Sequence, residues 1–202
     1  METPYRADNL TGMPLEHYLE RLGKANASEI VYRLDLSYLK NGFIFTVLGE
    51  QKHANFPNID DDGWNDRWRI LFARWLLEGK KPAPMQRFVT YSQMPWGSVY
   101  DAKFRQRCID RLAGTYGYKI DSFKAICEAM GAKPVAGSGV GYEFEFMPGL
   151  FVRFILWEGD DEFPPSSQIL FSDNFPDAFA AEDRVVVCEY ILSEMKIAGS
   201  KL

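Results

Sequence analysis

Residues 150–171, LFVRFILWEGDDEFPPSSQILF, place four carboxylates between two apolar runs: Glu158, Asp160, Asp161 and Glu162. Carboxylates gathered at a strand end can hold a hard cation. They can also divide into an acid and a base once their surroundings separate their pKa values. The alternative is a solvated turn, with Gly159 giving the bend and the charges keeping a sheet edge from pairing. The residues alone leave both readings open.

A second candidate is aromatic. Phe88, Tyr91, Trp96 and Tyr100 surround a Pro95-Trp96-Gly97 loop that leads into a helix. Such loops line pockets for planar ligands or grooves for partner proteins, although more often they anchor themselves to the core. Arg105 and Arg107 follow, placed to reach an anion bound there or simply to solvate their helix. The ligand-binding expectation therefore rests on Tyr91, Trp96, Tyr100, Arg105, Trp157, Asp160, Asp161 and Glu162, with the two stretches as facing walls of one pocket.

Other patterns carry less. Asn58, Asp60, Asp62, Gly63 and Asp66 follow the ligand spacing of a calcium loop, but Arg69 stands where a bidentate glutamate is required. Asp62 as a helix cap is the simpler reading. Gly137, Gly139 and Gly141 lead into the alternating run Tyr142 to Phe146 instead of opening a helix, so they make no phosphate cradle. His17 and His53 are the two histidines, and no nucleophile elbow is present. This shortage leans the reading away from catalysis and leaves catalytic residues unknown. Cys108, Cys127 and Cys188 lack metal spacing and read as small buried hydrophobes, so no metal or other cofactor is assigned.

The chain of 202 residues is 47% apolar and 15% aromatic, enough for one domain with a sizeable core. Its net charge of −5 argues against a protein that tracks nucleic-acid phosphates. No stretch has the run of uncharged apolar residues that a membrane helix needs, and the opening METPYRADNL has no apolar signal core. The expectation is a soluble, cytoplasmic protein with neither a membrane nor a nucleic acid as partner.

The elements that must hold these residues follow from periodicity. A helix is predicted from Pro14 to about Lys24, with Leu15, Tyr18, Leu19 and Leu22 on one face. Alternation of Ile30, Tyr32, Leu34 and Leu36 predicts a strand, turned at Asn41-Gly42 and returned over Phe43 to Leu48. His53 to Phe56 adds a short third strand. Helices are predicted over Gly63 to Glu78, Ser98 to about Tyr116, Asp121 to Met130, and Glu182 to about Lys196. A second hairpin turns at Met147-Pro148-Gly149. The expected fold class is α+β, an antiparallel sheet built from hairpins (about 30–48 and 142–157) against four to five helices. Trp68, Leu71, Trp75, Phe104, Leu112, Phe144, Phe154, Leu156 and Ile191 form its expected core.

Two stretches, LFARWLLEGKKPAP with FVTYSQMPWGSVYDAKFRQRCIDRL, and ILWEGDDEFPPSSQILFSDNF before a final helix, resemble the DUF3786 family. The Trp-x-Gly-Asp-x-Glu-Phe-Pro run is the most specific part. The resemblance implies an uncharacterised protein of anaerobes, from a family with ties to iron–sulfur-type segments and to corrinoid or one-carbon metabolism. It carries over no catalytic residue, and this chain lacks a cysteine-rich segment. The expected function is a small-molecule or cofactor-binding accessory protein of anaerobic metabolism. A protein–protein interaction module is one alternative. A metal-dependent hydrolase or transferase using Asp160, Asp161 or Glu162 is the other.

Overall fold

A computed structural model describes residues 13–60 and 63–202. The fold is α+β, with two antiparallel sheets among helices. Helix α1 (Leu15–Gly23) buries Tyr18 and Leu22, as its spacing predicts. The following segment departs from expectation. Ala27–Leu34 is a helix, α2, and not a strand. The apparent alternation also satisfies a helix, because Ile30 and Leu34 lie four apart and are both buried while Tyr32 points to solvent. Asn26 caps its start by accepting from Ser28 N (2.9 Å), and Asp35 ends it at a left-handed φ of 56°.

The first sheet holds β1 (Ser37–Leu39), β2 (Gly42–Val47) and β3 (Glu50–Asn55) in that order. Its first turn sits one residue earlier than expected. Lys40 and Asn41 take the left-handed conformation, and Gly42 already pairs with Leu39 and Asn55. A side chain at Gly42 would lie 2.7 Å from the His53 ring, which explains the glycine. Helix α3 (Asp66–Glu78) is capped by Asn65, whose side chain accepts from Trp68 N at 3.1 Å. The cap expected at Asp62 lies outside the described residues. Arg69 closes the calcium-like loop onto itself, donating to Asn58 O (2.9 Å) and Asp66 Oδ1 (3.2 Å).

A proline-rich strap leads from α3 to β4 (Phe88–Thr90) and a short 3₁₀ turn, Tyr91–Gln93. Helix α4 (Gly97–Phe104), a π-helical segment (Arg105–Ile109) and α5 (Asp110–Tyr116) then run on as one helical stretch. Residues four apart drift by about 40° per step on a regular α-helix. The π turn absorbs that drift, so Phe104, Cys108, Leu112 and Tyr116 all stay buried. Helix α6 (Ile120–Ala129) precedes the second sheet, whose strand order is β4-β8-β7-β6-β5. Its strands are β5 (Lys133–Val135), β6 (Val140–Met147), β7 (Leu150–Trp157) and β8 (Ser166–Ser172). The two hairpins thus belong to separate sheets, bridged where Leu48 N donates to Phe146 O at 2.9 Å.

The short α7 (Phe175–Ala178) turns the chain into α8 (Ala181–Gly199), the central helix. Every expected core residue is buried, and so are all three cysteines. Among the described residues, no helix is long and apolar enough to cross a membrane.

Candidate functional site

Helix α8 is buried on every side from Ala181 to Leu192, yet that length contains Glu182, Asp183, Arg184 and Glu189. A charge taken out of water costs several kcal/mol unless partners replace its hydration. Glu182, Asp183 and Glu189 each meet an arginine, and Arg184 meets a backbone carbonyl and an aromatic ring. Arg74 of α3, 1% exposed, grips Asp183 with both ends of its fork: Nε to Oδ1 at 2.7 Å and Nη2 to Oδ2 at 3.0 Å. Its Nη1 donates to the Tyr18 hydroxyl at 3.0 Å. Burial pushes the Asp183 carboxyl above its ordinary range, while Arg74 and the Ala180 amide pull against it. Burial, with Asp183 and Glu78 nearby, raises Tyr18 from 10.0 to about 12.

A second charged group lies on the same helix. Arg107, projecting from the π segment, donates Nε to Glu189 Oε1 (2.9 Å) and Nη2 to Glu189 Oε2 (2.8 Å). Its Nη1 reaches Glu182, and Arg67 of α3 also meets Glu189. Hydrogen bonds to Glu189 raise the Arg107 pKa further, so its charge is permanent.

A cavity of about 340 Å³ opens where α8 begins. Arg21, Arg74, Lys80 and Arg184 line it together with Glu78, Asp177 and Asp183. Arg184 is 1% exposed, and its Nη2 donates to Pro95 O at 2.5 Å while its guanidinium lies over the Tyr91 ring. The loop that supplies this carbonyl is tightly built. Trp96 adopts a left-handed φ of 62°, and a side chain on Gly97 would sit 1.9 Å from Tyr91 O. Lys80 is fixed by its amide, which donates to Asp177 O at 2.8 Å.

A family model described as a domain of unknown function, DUF3786, matches residues 26–194. The chain belongs to this family. Comparisons with curated proteins and with solved structures found no match. The DUF3786 match runs from the cap of α2 to Glu194 in α8, so it spans both sheets and most of the cavity; Arg21 lies ahead of it.

The residues singled out by sequence are only partly brought together. Tyr91, Arg105 and Trp157 line a second, smaller cavity of about 300 Å³, floored by Ser167 and Gln168 of β8. Trp96 and Tyr100 do not line it. Tyr91 is stacked on Phe104 (4.3 Å) and sends its hydroxyl away to Ala181 O (2.9 Å), while Arg105 pairs with Asp101 at 2.9 Å. Glu158, Asp160, Asp161 and Glu162 are all exposed in the β7–β8 connection. Asp160 organises that turn by accepting from Phe163 N (2.7 Å) and Glu162 N (2.9 Å), which holds its carboxyl below the usual range. Among the described residues, no group of three or more His, Cys, Asp or Glu is arranged to hold a metal ion.

Sequence reading missed the charges of α8 and their partners on α3. Their signal was present: Glu182-Asp183-Arg184 stands at the head of a long apolar run, and Arg74 lies between Phe72 and Trp75. Charges inside such runs either break the element or find a buried partner.

Proposed function

We propose that this protein binds a small molecule in the cavity at the start of α8, as an accessory binding protein. One observation carries the reading: two buried guanidinium groups, Arg74 and Arg184, border the same pocket. A core that only had to be stable would do as well or better with apolar side chains of similar volume. Charge kept beside a pocket of this size is what a recognition site uses to orient a ligand. An accessory role in anaerobic metabolism would rest on family resemblance alone and adds no residue to the site.

The test is a ¹H–¹⁵N spectral screen of the full chain against a small-metabolite mixture. The expected result is saturable shifts at the Lys80 and Ala180 to Asp183 amides, lost in Ala180→Trp, which fills the cavity from its half-buried rim. Ligands that bind Ala180→Trp unchanged would sink the reading. A second reading is favoured by the convergence of Tyr91, Arg105 and Trp157 on the smaller cavity, and shifts confined to Ser167, Gln168 and Trp157 would select it.

A further inference from the structure

We infer that the molecule taken by the α8 cavity carries an oxyanion group, a phosphate or a carboxylate. This rests on the small-molecule reading and narrows it. The lining holds four cationic side chains (Arg21, Arg74, Lys80, Arg184) against three acids (Glu78, Asp177, Asp183). The cations arrive from α1, α3, the strap and α8, so no single helix face accounts for their meeting.

The acids are already engaged within the protein. Glu78 Oε1 accepts from Arg21 at 2.8 Å, and both oxygens of Asp183 accept from Arg74. Asp177 Oδ2 accepts from Ala83 N at 3.0 Å. Lys80 is different: its ammonium has no acidic partner among the described residues, and it stands exposed at the rim. The lining therefore retains positive charge after its internal pairs are counted. Ala180, the N-cap of the 19-residue α8, and Ala181, its first residue, also border the cavity, so the positive end of the helix adds to the same field. Leu77 and Phe179 give an apolar wall for the rest of the ligand. At about 340 Å³ the cavity suits a small metabolite and excludes a polyanion such as a nucleic acid.

The experiment titrates the ¹⁵N-labelled full chain separately with inorganic phosphate, acetate and glycerol, for wild type and Lys80→Ala. Lys80 is exposed, so its removal leaves the fold intact, whereas changes to Arg184 risk unfolding. Phosphate or acetate is expected to shift Lys80, Ala180 and Ala181 saturably, with affinity falling as salt rises. Lys80→Ala should weaken that binding by about tenfold, the size of one charge-assisted contact. A response to phosphate alone assigns a phosphate ester, and to acetate alone a carboxylate. If glycerol shifts these amides and neither anion does, the oxyanion inference is overturned while the small-molecule reading stands. Anion binding that is equal in Lys80→Ala, or scattered over the surface, overturns it as well. No shift from any probe also overturns it, and the small-molecule reading then stands or falls on the Ala180→Trp comparison.

Discussion

Asp183→Asn should be among the most damaging single changes in this protein. The side chain keeps its shape but loses its charge, and Arg74, 1% exposed, is left as a buried cation without its carboxylate. Breaking a buried pair from one side costs about 3–5 kcal/mol. Domains in this size range are stable by roughly 5–15 kcal/mol, so a large share of the total would disappear. With about 2–4 °C lost per kcal/mol at this chain length, the melting temperature should drop by roughly 6–20 °C. The double variant Arg74→Met/Asp183→Leu separates the charge from the space it fills. It removes both ions and keeps apolar volume, so most of the loss should be recovered, less about 1 kcal/mol for the donor taken from the Tyr18 hydroxyl. Urea unfolding of wild type, Arg74→Met, Asp183→Leu and the double variant closes the cycle, with unchanged slopes as the check on two-state behaviour. A cost below about 1 kcal/mol for Asp183→Asn would mean that Arg74 finds water, and the buried-pair account would fail.

Two further predictions concern titration and the acidic turn. Tyr18 and Tyr142 are both raised from 10.0 to about 12, so the unfolded chain loses these protons before the folded one does. Their contribution is complete below about pH 10 and is lost as pH rises through 12. Urea midpoints from neutral to alkaline pH should show the decline, and Tyr18→Phe should make it shallower; an unchanged slope would remove Tyr18 from the account. In the β7–β8 turn, Asp160→Ala should speed hydrogen exchange at the Glu162 and Phe163 amides, whereas Asp161→Ala should not. If calcium or magnesium raises the melting temperature and Asp160→Ala cancels the effect, the cation reading of these carboxylates returns.

Much of the fold was legible because burial leaves a period. Trp68, Leu71 and Trp75 mark the buried face of α3, and the run from Tyr142 to Phe146 marks a strand with alternate residues inward. Residues 27–34 failed because eight residues hold too few apolar positions to separate a period of two from one of 3.6. The deciding signal was the polar cap Asn26, with Glu29 three residues on, which outranks alternation in so short a segment. The four-residue steps from Tyr100 to Leu112 held more information than a plain helix would explain. A stripe that never drifts is inconsistent with regular α-helical winding, and the π turn at Arg105–Ile109 resolves the conflict. That turn also aims Arg107 at Glu182 and Glu189, so a local irregularity in winding becomes a long-range ionic contact.

The candidate site was less legible for a physical reason. Sequence draws attention to charges that stand together, and Asp160 to Glu162 do so because an exposed turn tolerates them. The charges that line the α8 cavity are scattered over the chain, from Arg21 to Arg184, and Arg74 stands alone among apolar neighbours. Only the packing of α1, α3 and the strap around the start of α8 brings them together. A solitary charge in an apolar run carries the greater energetic consequence, because burial raises the cost of every unmatched ion. Arg74 shows this best. It sits within the stretch from Leu71 to Leu76 where α3 is buried on every side, and where an apolar side chain would be the ordinary choice. Its retention there commits the fold to placing Asp183 opposite, and the pair fixes the register of α3 against α8 at the mouth of the cavity.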